Sequence, residues 1–212
     1  MTDQTSPLRI DIISDVMCPW CVIGYRQLAI VLKEKNIAHE IHWHPFELNP
    51  NMPAEGQDMR EHLVEKYGTT PQQSDENRAH MSALGDEVGF KFDFAEGFRM
   101  HNTFNTHQLL HWADSQGRKH DLKQALFTAH FTNARDLSNP MVLVDVAAEI
   151  GLDRDEAKTV LDDQRFADEV RQEQKSWTQQ GIQGVPAIVF GRQHLVTGAQ
   201  GVDNYKRILE RH

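Results

Sequence analysis

The N-terminal segment of the chain reads Leu8-Arg-Ile-Asp-Ile-Ile-Ser-Asp-Val-Met-Cys-Pro-Trp-Cys21. Its first part, Leu8 to Ile13, alternates and is rich in β-branched residues, which is typical of a β-strand. Ser14 to Met17 forms a polar connection, and the apolar residues that follow have helical spacing up to about Lys35. The segment therefore predicts a strand, a short connection and a helix that begins at two cysteines.

A second alternating run, His39 to Phe46, predicts another strand beyond this helix. The interval between the strands is long enough for a helical crossover, so a parallel βαβ unit is the simplest topology. After a turn rich in Pro and Asn, the chain shows mainly helical periodicity to about Gln180. Seven helices are predicted there: Met59–Tyr67, Pro71–Val88, Thr103–Ser115, Leu122–Phe131, Pro140–Ile150, Asp155–Leu161 and Ala167–Gln180. Between them Phe90 to Phe94 alternates, as a strand or an extended loop would.

The C-terminal part returns to β character. Pro186 to Phe190 and Leu195 to Thr197 predict a hairpin, and Val202 to Arg211 predicts a closing helix. Because both ends of the chain carry strands that one sheet would combine, we expect an α/β fold with a large all-helical insertion. The predicted boundaries are residues 1–50 and 183–212 for the discontinuous α/β domain and residues 51–182 for the insertion.

Composition and charge exclude several classes of function. The 212 residues include 22 Lys and Arg and 31 Asp and Glu, a formal net charge of −9. Such a negative surface repels polyanions, so we expect neither nucleic acid nor a membrane as a partner. No apolar stretch approaches the roughly 18 residues of a transmembrane helix. The polar segment Met1 to Pro7 lacks the features of a secretory signal, so a cytoplasmic location is expected.

The two cysteines are the strongest chemical signal. Structural disulfides are rare in a reducing cytosol, so this pair is expected to react rather than to brace the fold. The first turn of a helix carries unsatisfied N–H groups and a partial positive charge that stabilise a thiolate. Cys18, at the exposed start of the helix, is therefore the predicted nucleophile, and the more buried Cys21 would attack the Cys18 sulfur in turn. Pro19 pre-sets the turn, and Trp20 offers an apolar surface to a substrate.

A second signal is Gly184-Val185-Pro186, which precedes an apolar strand. Facing the cysteines, a cis Pro186 would leave the backbone of Val185 to pair with an extended substrate, and would keep metal away from the thiols. Two other interpretations of the cysteines stay open at this point: an inert buried pair, and a zinc site completed by two histidines. His107 and His111 share a helix face, but packing or hydrogen bonding is the favoured role for them. Asp15 could either tune the thiols or cap the following helix.

These motifs resemble the DsbA-like thioredoxin-fold oxidoreductases, and within them the FrnE-like cytoplasmic branch. The matching pieces are Cys18-Pro-Trp-Cys21, Phe46-Glu-Leu-Asn-Pro50, Asn102-Thr103 with His107, Gly184-Val-Pro186 and Gly198-Ala199-Gln200. The resemblance implies a thioredoxin fold with a helical insertion and thiol–disulfide exchange. It also implies that Cys18 attacks, that Cys21 resolves the mixed disulfide and that Pro186 is cis. Thr106 and Gln108 replace an Ala and an Arg that are usual in relatives.

The leading hypothesis is a thiol–disulfide oxidoreductase that acts on protein or small-molecule disulfides. We expect no bound cofactor or metal, with glutathione considered as a co-substrate. One alternative is a glutathione-dependent isomerase or transferase of the 2-hydroxychromene-2-carboxylate isomerase or kappa-class type, which needs only one Ser or Cys, so Cys21 argues against it. Another is a non-catalytic binding or chaperone module.

Overall fold

The computed structural model describes residues 6–211. Residues 1–5 and 212, the outermost parts of the predicted domain boundaries and most of the Met1–Pro7 segment, lie outside the described residues. The elements follow one another as β1 (Leu8–Ser14), α1 (Pro19–Glu34), β2 (His39–Pro45), β3 (Gln57–Asp58), α2 (Met59–Tyr67), α3 (Pro71–Glu87), β4 (Arg99–Met100), α4 (Phe104–Ser115), α5 (Lys119–Phe131), α6 (Pro140–Glu149), α7 (Arg154–Asp163), α8 (Ala167–Gln179), β5 (Ala187–Phe190), β6 (His194–Thr197) and α9 (Val202–Leu209).

Both ends of the chain contribute to one four-stranded sheet, in the order β2-β1-β5-β6. Strand β1 pairs in parallel with β2, with Leu8 opposite His39, and antiparallel with β5, with Ile12 opposite Ile188. Because β1 has a neighbour on each side, its isoleucines are buried, as an interior strand requires. The predicted N-terminal βαβ unit and C-terminal ββα unit are therefore confirmed, and they meet at β1.

The seven predicted helices are all present, with bounds that agree within three residues. Helix α5 begins at Lys119 rather than Leu122, because the polar residues from Lys119 to Asp121 form a first turn that apolar spacing does not reveal. A two-residue antiparallel pairing, β3 with β4, was not predicted because it has no alternating run. Phe90 to Phe94 is an extended loop without strand pairing, in which the Phe92 and Phe131 rings lie 5.2 Å apart.

The apolar side chains of the helical middle pack in one continuous cluster with those of α1 and the sheet. Trp43 of β2 and Phe127 of α5 join the two parts edge to face, with ring centroids 6.2 Å apart. The division at residues 50/51 and 182/183 stays a prediction. No helix within residues 6–211 combines the length and the hydropathy that a bilayer crossing requires.

A polar connection joins the sheet to helix α8. His44 of β2 lies between Asp11 of β1, with 2.8 Å from Nε2 to Oδ1, and Glu173 of α8, with 2.5 Å from Nδ1 to Oε1. Burial alone would lower the pKa of His44, but the two carboxylates raise it. Burial opposes ionisation of Asp11 and Glu173, yet hydrogen bonds from His44 hold the pKa of each carboxyl below its usual value. A protonated His44 between two carboxylates is therefore the stabilised state.

The His44 connection predicts a pH dependence of stability. Because folding lowers the pKa of Asp11 and Glu173, their carboxylates stabilise the fold fully above their unfolded pKa of about 4. Because folding raises the pKa of His44, its imidazolium stabilises the fold fully below its unfolded pKa of about 6.5. We therefore expect His44→Gln to lower the free energy of unfolding by about 2 kcal/mol near pH 5.5, and by less at pH 3.5 and at pH 9. Urea denaturation followed by circular dichroism at the three pH values measures the difference. A deficit that is equal at all three, or largest at pH 9, contradicts this account.

Candidate active site

Cys18 and Cys21 lie at the N-terminus of helix α1, as predicted. Cys18 is the N-cap residue with extended backbone angles (φ −96°, ψ 109°), and Pro19 occupies the first turn. Cys21 lies one turn further on, where its N–H donates to the Cys18 carbonyl at 3.0 Å. Both are free thiols. The predicted exposure of Cys18 is wrong, because the residue is only 3% exposed, while Cys21 is fully buried.

The turn before β5 covers Cys18. The Val185–Pro186 peptide is cis, which confirms that prediction. Cys18 Sγ lies 3.6 Å from the Val185 carbonyl oxygen, to which its thiol donates a hydrogen bond. The next carbonyl, that of Pro186, accepts from the N–H of Gly198 at 2.7 Å and so belongs to the β5–β6 hairpin. The thiol and the turn are thus in direct contact, although they lie 167 residues apart in the chain.

The close approach of α1 to this turn depends on a glycine. A Cβ added at Gly24 would lie 3.3 Å from the Ala199 Cα and 3.4 Å from the Pro186 Cγ, so a larger residue would require these neighbours to shift by a few tenths of an ångström. An open cleft of about 380 Å³ runs along the turn, lined by Gly181–Pro186, Thr197 and Gly198. Trp20 is 39% exposed beside the cysteines, with its ring 6.2 Å from that of His80 on α3. The predicted site residues are therefore brought to one end of the sheet.

Asp15 is buried and does not cap α1, since its carboxylate accepts no hydrogen bond from an N–H of that helix. Its carboxylate instead accepts from the N–H of Leu48 at 2.8 Å and from the N–H of Met17 at 3.4 Å. His107 Nε2 lies 3.6 Å from the same carboxylate. Burial would raise the pKa of Asp15, but His107 and the Leu48 N–H hold it below its usual value. Asp15 therefore joins the cysteine segment to the loop after β2.

His107 and His111 have separate partners within the protein. His107 Nε2 donates to the Phe46 carbonyl at 2.9 Å, whereas the His111 ring packs against Phe166 at 5.0 Å. Among residues 6–211 no group of three or more metal-ligating side chains is arranged to hold a metal ion. The favoured interpretation of the two histidines, packing and hydrogen bonding, is confirmed.

Sequence reasoning missed Lys123, which is 1% exposed. Its Nζ lies 5.5 Å from the centroid of the Trp43 ring and 5.1 Å from that of Phe127. Burial lowers the pKa of Lys123 to about 8, although Cys21 and Asp15 act in the opposite direction. A usable signal was present, because Lys123 falls between Leu122 and Leu126 on the apolar face of α5, where a charged residue is out of place.

Electrostatics link Lys123 to the second cysteine. Burial raises the pKa of the Cys21 thiol well above its usual value, and the neighbouring Cys18 adds to the rise. The charge of Lys123 opposes that rise. Burial thus keeps the Cys21 thiol protonated, whereas the charge of the buried Lys123 favours its thiolate.

Comparison with known proteins identifies the family. The chain matches the DSBA-like thioredoxin domain over residues 9–210, and it therefore belongs to that family. The expected thioredoxin fold with a helical insertion is thereby confirmed, and the DsbA-family fold carries oxidoreductase or isomerase activity.

Three similar proteins illustrate the match. The crystal structure of the probable DsbA oxidoreductase SCO1869 from Streptomyces coelicolor superposes with a TM-score of 0.90 and 30% identity, covering 96% of this chain and 89% of that one. The cytosolic disulfide reductase DsbM from Pseudomonas aeruginosa, solved with GSH, has a TM-score of 0.65 at 16% identity, covering 96% and 98%. The uncharacterized protein YwbO of Bacillus subtilis (strain 168) is 24% identical over 203 residues, 95% of this chain and 96% of that protein.

The buried position of Asp15 predicts a large effect of its removal. Asp15→Ala takes away the acceptor of the Leu48 N–H and leaves buried donors unpaired, so we expect the free energy of unfolding to fall by about 3 kcal/mol. Urea denaturation at pH 7 measures it. The matched control is Asp162→Ala, which removes an exposed carboxylate that pairs with Lys158 and should change stability by less than about 0.5 kcal/mol. Equal effects of the two substitutions would show that Asp15 does not hold the site together.

Proposed function

We propose that the protein is a thiol–disulfide oxidoreductase that acts on protein or small-molecule disulfides through Cys18 and Cys21. One observation carries the proposal: Cys18 occupies the N-cap of α1, with Cys21 one turn behind it and the Val185 carbonyl 3.6 Å from its sulfur. A helix N-terminus stabilises a thiolate, and the thiolate is the species that attacks a disulfide. Inert core cysteines would not require this placement.

The reaction proceeds by two exchanges. The Cys18 thiolate attacks one sulfur of the substrate disulfide, so that a Cys18–substrate disulfide forms and the other substrate sulfur leaves as a thiolate. The Cys21 thiolate then attacks the Cys18 sulfur, which forms the Cys18–Cys21 disulfide and releases the second substrate thiolate. The substrate gains two electrons and the protein loses two. The reverse sequence oxidises a dithiol substrate.

The surface around Cys18 suits an extended segment that carries the disulfide. Trp20 supplies an exposed apolar face, and Pro19 beside it presents no N–H. On the other side of the sulfur, Val185 and Pro186 border the open cleft. We propose that an extended substrate lies along this cleft, with its backbone beside Val185 and an apolar side chain against Trp20.

Glutathione is the proposed second substrate, which would reduce the Cys18–Cys21 disulfide and return the protein to the dithiol form. DsbM, a relative in fold, is named a cytosolic disulfide reductase and was solved with GSH. Because of this likeness, we also propose a cytoplasmic location for the present protein. Apart from glutathione no cofactor is proposed, and neither nucleic acid nor a membrane is a proposed partner.

Reduction of insulin by dithiothreitol tests the proposed function. We expect the wild-type protein to accelerate insulin precipitation and Cys18→Ser to lose the acceleration, because the attacking sulfur is gone. Cys21→Ser keeps the first exchange but cannot complete the second, so it should accumulate a mixed disulfide that non-reducing electrophoresis detects. Equal rates of insulin precipitation with the wild type and with Cys18→Ser would contradict the proposed function.

The same variants separate this function from the two alternatives. A glutathione-dependent isomerase or transferase needs one thiol, so full turnover of a glutathione-linked substrate by Cys21→Ser would favour that activity. A binding or chaperone module needs neither thiol, and it predicts that the double Cys→Ser protein suppresses aggregation as well as the wild type.

A further inference from the structure

We propose that the Val185 carbonyl makes the protein selective for disulfides carried by an extended polypeptide, because a backbone N–H of the substrate displaces the Cys18 thiol from this carbonyl and so frees the thiol to ionise. The inference rests on the proposed function and names the substrate class of the same site. A small disulfide without a neighbouring backbone N–H leaves the thiol bound to the carbonyl and reacts more slowly.

The contact that Cys18 makes in the reduced protein is the first support. Its thiol donates to the Val185 carbonyl oxygen, with 3.6 Å between sulfur and oxygen, and the residue is only 3% exposed. A carbonyl oxygen accepts a hydrogen bond from a thiol but not from a thiolate, so this contact favours the protonated sulfur. The N-cap position of Cys18 on α1 acts in the opposite direction. Loss of the carbonyl contact therefore favours the thiolate.

The backbone of Val185 is the second support. Within residues 6–211 its N–H has no acceptor, and its carbonyl has only the S–H of Cys18, which is a weak donor. The next carbonyl, that of Pro186, is already bonded to the N–H of Gly198 at 2.7 Å. An extended peptide that pairs with a residue can use both its N–H and its C=O. A peptide paired with Val185 in the open cleft of about 380 Å³ thus takes the place of the thiol at the carbonyl.

The charged surroundings of Cys18 leave this carbonyl as the group that a substrate can change. The turn from Gly181 to Pro186 carries no titratable side chain, and the same holds for Thr197 and Gly198 across the cleft. Elsewhere around Cys18 the titratable residues are Cys21, Asp15, Lys123 and, beyond the Trp20 ring, His80. A comparison of two substrates on the same protein keeps all of these residues constant.

The first exchange then follows in a fixed order. A substrate N–H bonds to the Val185 carbonyl, and the Cys18 thiol loses its proton to solvent. The thiolate, now stabilised by the N–H groups of the first turn of α1, attacks one sulfur of the substrate disulfide. The Cys18–substrate bond forms, the substrate disulfide bond breaks, and the other sulfur leaves as a thiolate with the electron pair of that bond. The substrate disulfide is the oxidant in this step.

The test uses matched probes on the Cys21→Ser protein, in which only the first exchange occurs. One probe is a short alanine peptide with a central cysteine whose sulfur carries 4-thiopyridine. In the matched probes the backbone amides beside this cysteine are N-methylated, one at a time. A third kind of probe is the mixed disulfide of 2-mercaptoethanol and 4-thiopyridine, which has no amide. Stopped-flow absorbance records the release of 4-thiopyridone at saturating probe over a range of pH, so that the rate reports the protein–probe complex rather than the affinity.

We expect the pH midpoint of the rate with the unmodified peptide to lie about one unit below the midpoint with one of the methylated peptides and with the 2-mercaptoethanol probe. One hydrogen bond shifts the thiol–thiolate equilibrium by about tenfold, and the lower nucleophilicity of a less basic thiolate offsets about threefold of that gain. The unmodified peptide should therefore react about threefold faster below both midpoints and no faster above them. Val185→Ala keeps the carbonyl, so the difference between the probes should persist in this variant.

Raman spectroscopy of the reduced wild-type protein tests the resting contact itself. The S–H stretching band that is missing from Cys18→Ser belongs to Cys18, and its hydrogen bond to Val185 should place this band below the frequency of a free thiol. A saturating alanine peptide without cysteine should raise the frequency of the band or remove it. A Cys18 band at the free-thiol frequency before the peptide is added would overturn the proposal.

The kinetic outcomes separate this inference from the function on which it rests. Equal pH midpoints for the unmodified peptide, all methylated peptides and the 2-mercaptoethanol probe would overturn the role of the Val185 carbonyl alone. The same holds for a methylated peptide that is slower by one factor at every pH, because a steric effect explains that result. Release of 4-thiopyridone by the double Cys→Ser protein as fast as by Cys21→Ser would instead contradict the proposed function.

Discussion

The contact between the Cys18 sulfur and the Val185 carbonyl fixes how the N-terminal and C-terminal parts of the fold meet. It joins residues from the two ends of the chain, and it exists because β1 pairs with β2 on one side and with β5 on the other. Strand β1 leads directly to Cys18 at the start of α1, and the turn before β5 places Val185 beside it. Gly24 allows the helix to approach that turn closely. The Cys18 sulfur is therefore positioned by the whole sheet rather than by its local sequence.

A buried polar layer supports this contact from behind. Asp15 and His107 hold the loop after β2 against the cysteine segment, and Lys123 brings a positive charge from the helical insertion into the same region. The insertion is consequently more than a cover for the sheet, because two of the three residues in this layer come from it. The cysteines lie at the start of α1, and part of their electrostatic environment comes from the helical insertion, so the site depends on both parts of the chain.

Local patterns predicted the elements well, because strands and amphipathic helices leave periodic signals that need no tertiary information. The cysteine pair and Pro186 were found for a similar reason, since each belongs to a short motif with a chemical meaning. The covering of Cys18 was not predictable, because it depends on a turn 167 residues away. Asp15 could be read as a cap or as a neighbour of the thiols until the tertiary structure showed its N–H donors. Lys123 was overlooked because a single lysine in a helix is ordinarily a surface residue.

The proposed function requires that Cys18 and Cys21 form one two-electron redox couple. The most direct measurement is equilibration of the protein over a series of reduced and oxidised glutathione ratios, followed by acid quenching and intact mass spectrometry. We expect a single transition to a species lighter by two hydrogen atoms, with the slope of about 30 mV per tenfold change that two electrons require. A protein that keeps both thiols across the whole series, or that accumulates only a glutathione adduct on one cysteine, would contradict it.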